Sequence, residues 1–106
     1  MIQAIETSYN GYRFRSRLEA RWAVFFDALS IEWLYEHEGY TLPDGTRYLP
    51  DFWLPQLDLW FEVKGTFPDK KEQDKVIQLS AANAANPVFL AYGEVDLTKT
   101  LCWFAG

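Results

Sequence analysis

Between Asp58 and Lys64 the chain alternates without a break: Leu59, Phe61 and Val63 fall on one side, and Trp60, Glu62 and Lys64 on the other. That period of two is the period of a β-strand, whose successive side chains point to opposite faces. The face with Leu59, Phe61 and Val63 is built to meet a core. The opposite face carries a carboxylate and an ammonium two positions apart, held side by side by the strand itself. Pro55 closes the segment before this strand and Gly65 ends it. The rest of the fold has to accommodate a strand with an apolar side and a charged one.

Its neighbours follow from local patterning. From Ile2 to Phe14, the Asn10-Gly11 pair between Tyr9 and Tyr12 predicts a short hairpin, because both residues tolerate positive φ. Ser16 has the character of a helix N-cap, with Glu19 three positions on, and Leu18, Trp22, Phe25, Phe26 and Leu29 recur at helical spacing to about Ser30. At 100° per residue Glu19 falls on the shoulder of that apolar stripe, and Arg17 and Arg21 on the other shoulder. Glu32 to Glu36 predicts a short aromatic strand, and Pro43-Asp44-Gly45 a turn into a strand from about Arg47 to Leu54. Pro50 has no N–H for a ladder, so a bend, bulge or edge is expected just before Asp51. Pro68 precedes a second helix from about Asp69 to Ala84, and Asn86-Pro87 leads into a buried strand from Val88 to Tyr92. A last strand is expected near Leu101 to Phe104. The order is helix, three strands, helix, one or two strands. An α/β domain with a mixed sheet flanked by helices is expected, preceded by the hairpin.

Length fits one domain spanning residues 1–106, since the chain can bury one core but not two. It contains no apolar run long enough for a membrane helix and no basic-then-apolar leader pattern, so a cytoplasmic location is expected, the host cytoplasm if a phage encodes it. Cys102 is the single cysteine, which excludes an intrachain disulfide and a cysteine-based zinc site. The net charge of −5 opposes nucleic-acid binding, but its distribution is uneven. Arg13, Arg15, Arg17 and Arg21 crowd one segment, and Lys64, Lys70, Lys71 and Lys75 another. The acidic residues Asp27, Glu32, Glu36, Glu38 and Asp44 lie between them. Two basic patches can still present one positive face to a duplex.

Asp51, Glu62 and Lys64 supply the groups that phosphodiester cleavage requires: oxygen ligands for a hard cation, and a positive group near the charge of the transition state. Asp51 and Glu62, if they converge near one sheet edge with Glu19 of the preceding helix, would repel by roughly 4 kcal/mol per pair at 4 Å and an effective dielectric of about 20. A cation relieves that repulsion. Pro50-Asp51 followed by Glu62-Val63-Lys64, with Glu19 on the preceding helix, resembles the PD-(D/E)xK nuclease superfamily over about Tyr12 to Tyr92. The order and spacing are most similar to phage endonuclease I type Holliday junction resolvases and small phage nucleases. The resemblance implies a restriction-endonuclease-like core and a magnesium-dependent endonuclease of branched or structured DNA, with manganese as a substitute. It also implies the roles: Asp51 and Glu62 hold magnesium with the Val63 carbonyl as a further ligand, Lys64 orients or activates water, and Glu19 assists a second ion. Resolvases of this type cut paired strands as homodimers, and the aromatic N-terminal hairpin is a candidate contact. An alternative keeps the fold as a DNA-binding or assembly module beside a recombinase, transposase or terminase.

Each residue also has a plainer reading. Ser16-x-x-Glu19 is a capping box that needs no catalysis. Lys64 suits a solvated strand-end charge paired with Glu62 or Asp58. The four arginines suit either a solvated surface or phosphate contact. Lys71, Lys75 and Gln78 share a helical stripe, but Glu72 and Asp74 beside them fit an ordinary surface helix. Trp22, Trp33, Trp53, Phe25 and Phe26 are expected in the core, and Trp60 either there or in base stacking. His37, in the acidic stretch, is not expected to ligate metal.

Overall fold

The computed structural model describes residues 6–82 and 86–93, and the backbone of residues 101–105. Asn10 and Gly11 take φ of 52° and 83°, as a tight hairpin of this type requires. They set β1 (Thr7–Tyr9) against β2 (Tyr12–Phe14), with Tyr9 opposite Tyr12. Most of this hairpin's aromatic surface is spent on its own chain. Tyr9 donates a hydrogen bond to Asp27 at 2.6 Å, Phe14 is fully buried, and Tyr12 stacks on Trp33 while staying 39% exposed.

Helix α1 (Arg17–Ala28) begins where the Ser16 side chain accepts the Glu19 N–H at 3.1 Å. It ends through Leu29 and Ser30, whose N–H donates to Asp27, while Ile31 N–H reaches back to the Phe26 carbonyl at 2.8 Å. Ser30 holds φ of 57° in this closure, the left-handed conformation usually given to glycine. Ala20, Trp22, Ala23 and Phe26 form the buried face of α1.

The expected strand at Glu32 to Glu36 narrows to β3 (Leu34–Tyr35). The segment expected as one strand from Arg47 to Leu54 is two. Its first part, β5 (Arg47–Tyr48), pairs with β4 (Tyr40–Thr41) in a separate hairpin around Pro43-Asp44-Gly45. Its second, β6 (Phe52–Leu54), enters the main sheet. The break falls at Leu49 to Asp51, where Pro50 cannot donate to a ladder. A turn through Asp58 (φ 50°) then leads into β7 (Leu59–Lys64).

Helix α2 (Lys70–Ala82) starts one residue later than expected because Asp69 is its cap. Asp69 accepts the Glu72 N–H and Glu72 accepts the Asp69 N–H, both at 2.8 Å, a reciprocal box that satisfies two helix-end donors. The expected end at Ala84 lies outside the described residues. Strands β8 (Val88–Tyr92) and β9 (Leu101–Ala105) complete the sheet.

The protein is thus a small α/β protein with a mixed sheet and two helices. The main sheet has the order β3-β6-β7-β8-β9, parallel between β7 and β8 and antiparallel elsewhere. Three of its strands precede α2 and two follow. The alternation of β7 sorts two apolar layers: Phe61 and Val63 pack with Trp22 and Phe26 of α1, whereas Trp60 packs with Val76 and Leu79 of α2. Trp60, at 5% exposure, belongs to the core. Burying each large side chain contributes about 1.5–3 kcal/mol, so a β7 covered on both faces anchors the molecule. No helix among the described residues is long and apolar enough to cross a membrane.

Candidate active site

The pairing of β6 with β7 sets Phe52 opposite Phe61, which carries Asp51, one residue before β6, to the level of Glu62. Two hydrogen bonds then lock the pair. The Asp51 N–H donates to Glu62 Oε1 at 2.7 Å, and the Val63 N–H donates to Asp51 Oδ2 at 2.8 Å. Each carboxylate therefore spends one oxygen on the other strand's backbone, and side chains crowd the rest of each group: Glu19 beside Asp51, Tyr48 beside Glu62. The Asp51 carbonyl accepts the Glu36 N–H at 2.8 Å, so the residue is held from both sides.

Glu62 is 5% exposed, and burial pushes its carboxyl above the ordinary range, against the opposing pull of the Asp51 N–H and of Lys64. Asp51 is raised well above that range, first by burial, then by the charges of Glu62 and Glu19. Lys64 Nζ stands 4.0 Å from Glu62 Oε2 and 3.2 Å from Glu72 Oε2. Burial disfavours its ammonium form, but the two glutamates outweigh that and raise its pKa, so it stays charged. The buried hydroxyl of Tyr48 faces the Glu62 carboxylate and favours its charged form, and burial together with that carboxylate holds the hydroxyl protonated.

Glu19 is 6% exposed and stands behind Asp51. It keeps its place at the helix start, and its Oε1 accepts from the Ser16 and Tyr35 hydroxyls, each at 3.2 Å. Capping and proximity to the site are therefore compatible in one residue. Tyr35 in turn accepts the Arg15 N–H at 3.1 Å, and burial keeps its hydroxyl protonated and able to donate.

Asp51, Glu62 and Lys64 line an open cavity of about 290 Å³. Of the four arginines singled out by sequence, the fold brings Arg15 to this cavity, where it pairs with Glu36 at 2.6 Å. Arg13 pairs instead with Glu6 at 2.6 Å, and Arg17 and Arg21 are exposed along α1 away from the cavity wall. Lys75 joins the wall from α2. Arg47, Tyr48 and Glu72 also line the cavity and were not expected there. A signal existed for Glu72, since Asp69-x-x-Glu72 is itself a capping pattern. Arg47 and Tyr48 arrive only because the β4–β5 hairpin folds over the site.

The site's residues fit a hard divalent cation. Burial penalises the charge of both carboxylates, and the charges of Glu62 and Glu19 penalise Asp51 further. Among the described residues no three His, Cys, Asp or Glu side chains form a ready metal cage. Magnesium does not require one, because it keeps several waters and binds through one or two carboxylates plus substrate phosphate. Comparisons of the chain with protein-family models, with curated proteins and with solved structures found no match.

Proposed function

We propose that this protein is a magnesium-dependent endonuclease that hydrolyses DNA phosphodiester bonds, acting on branched or structured DNA through a restriction-endonuclease-like core. The observation that carries the reading is the cross-bonded pair of buried carboxylates, Asp51 and Glu62, with the Lys64 ammonium 4.0 Å from Glu62 at an open cavity. A structural ion pair has no need of a second buried carboxylate whose charge is left unneutralised. A cation site has that need.

In this proposal Asp51 and Glu62 hold the ion with the oxygens not bonded across the strands, joined by the Val63 carbonyl, and manganese substitutes for magnesium. The ion, when bound, supplies Lewis-acid polarisation of the phosphate and offsets charge developing in the transition state. Lys64 donates from its ammonium to the attacking water or to a phosphate oxygen, and Glu72 and Glu62 fix its position. Glu19 orients Asp51 from behind and is available to a second ion. Arg15, Arg47 and Lys75 around the cavity are the phosphate contacts, in place of the whole arginine cluster. Dimerisation through the N-terminal hairpin belongs to the same proposal, with Tyr12 as its exposed ring.

The test is cleavage of four-way junction, forked, duplex and single-stranded DNA with magnesium, with manganese and with chelator. Metal-dependent cuts in a branched substrate are expected. Intact DNA of every form, with protein well above its binding constant, overturns the activity.

A further inference from the structure

The active-site cavity does not end at the carboxylates. It shares Arg47, Tyr48 and Leu49 with a second open cavity of about 400 Å³ lined by the β4–β5 hairpin and its flanks. That one in turn shares Tyr40 with a third, of about 240 Å³, lined by His37, Glu38, Tyr40, Pro50, Trp53 and Trp60. Shared lining residues set the three side by side in a row, the trough, from the cavity of Asp51 and Glu62 to an aromatic slot. In the slot the rings of Trp53 and Trp60 lie 5.1 Å apart by centroid, and Tyr40 meets Trp60 edge-on at 5.4 Å. Trp60 is buried and Trp53 half-buried.

We infer that the slot receives one unpaired nucleobase of a DNA strand whose backbone runs along the trough from the scissile phosphate. The inference rests on the nuclease reading and narrows its substrate to DNA with a single-stranded segment beside the cut. Four observations carry it. The volume of about 240 Å³ admits one base and not a base pair. The wall is aromatic, and every base has a π-face to stack on such a wall. The slot wall carries the carboxylate of Glu38, which repels phosphate but accepts from the amino or imino N–H groups of a base edge. Between slot and carboxylates stand a cation and an exposed apolar side chain, Arg47 and Leu49, suited to a phosphate and a sugar respectively. Trp60 and Glu62 are two residues apart on one strand face, a separation of about 7 Å that one nucleotide of extended backbone spans.

The probes are a forked DNA with an unpaired arm, the same fork with abasic sites in that arm, and a fully paired duplex. Cleavage is measured with magnesium, and binding with chelator by tryptophan fluorescence. The variants are Trp53→Leu, Trp53→Phe and Glu38→Gln, with Glu38 exposed and each variant's folding checked by thermal melt. The native protein is expected to bind the base-bearing fork about 10-fold more tightly than the abasic one, the order of one stacked base. Trp53→Leu is expected to erase that ratio, Trp53→Phe to retain it, and Glu38→Gln to lower it, with duplex binding unchanged within about twofold. Equal binding of base-bearing and abasic forks by the native protein, or a ratio untouched by Trp53→Leu, overturns the slot. If no DNA is cut with either metal the nuclease reading fails, and the binding ratio still decides the slot.

Discussion

Replacing Asp51 by asparagine is expected to make the metal-free protein more stable while abolishing its metal response. Asparagine keeps an oxygen for the Val63 N–H and removes a charge penalised by burial, by Glu62 and by Glu19. The size of the gain has a ceiling. A carboxyl with an ordinary pKa near 3.9 can escape its charge at pH 7 by taking up a proton, at a cost of about 4 kcal/mol. The burden of Asp51 cannot exceed that. A neutral acceptor also weakens the bond from Val63, returning about 1 kcal/mol. A net gain of about 1–3 kcal/mol at pH 7 remains, roughly 5–15 °C in Tm for a domain of this size.

The pH dependence fixes the sign independently. Because the folded-state pKa of Asp51 is raised, the native protein loses stability as pH rises from the unfolded value through the folded one, and the asparagine variant does not. The advantage of the variant should therefore shrink as pH falls from 7 to 4. Thermal unfolding with chelator across that range reads it, and manganese at pH 7 should then stabilise the native protein alone. A variant that melts below the native protein at pH 7 with chelator, or an advantage that grows toward pH 4, refutes the argument.

The Lys64→Ala protein should lose cleavage by orders of magnitude but little stability, since the pair with Glu72 is about one-third exposed on both sides and such pairs contribute about 1 kcal/mol or less. Steady-state rates beside a melt separate the two effects. Magnesium or manganese at 100 times its dissociation constant should stabilise the native fold by about 2.7 kcal/mol, read as a Tm rise that chelator reverses. No rise with either ion favours the assembly-module alternative. Ser30→Gly should stabilise by about 1 kcal/mol, because Ser30 holds φ of 57° at the end of α1; an unchanged urea midpoint contradicts it.

What could be read from the sequence was what depends on neighbours in the chain. Asn10-Gly11 specified its turn, Ser16 its cap, and the alternation of β7 put Glu62 and Lys64 together before any tertiary contact was known. Pro50 announced a break but not its consequence. Whether Arg47 and Tyr48 continue into β6 or turn back on β4 depends on pairing with Tyr40 and Thr41, two short segments whose local patterning is weak. For the same reason Tyr48 and Arg47 went unseen as cavity residues. The arginine cluster was legible as charge, but only the path of the chain between β2 and α1 decides that, of the four, Arg15 is the one on the cavity wall. Glu19 could not be divided between cap and site because it takes part in the cap of α1 and also neighbours Asp51, while standing outside the cavity wall.

The two hydrogen bonds that tie Asp51 and Glu62 across β6 and β7 also determine which pairings the sheet can survive. A slip of one residue turns every side chain of β7 to the opposite face. Glu62 and Lys64 would then be driven among Trp22, Phe26 and Phe52, where ions without partners cost several kcal/mol each. The same charges that weaken the native state therefore forbid the nearest wrong one, and the hairpin has a single register in which it can close.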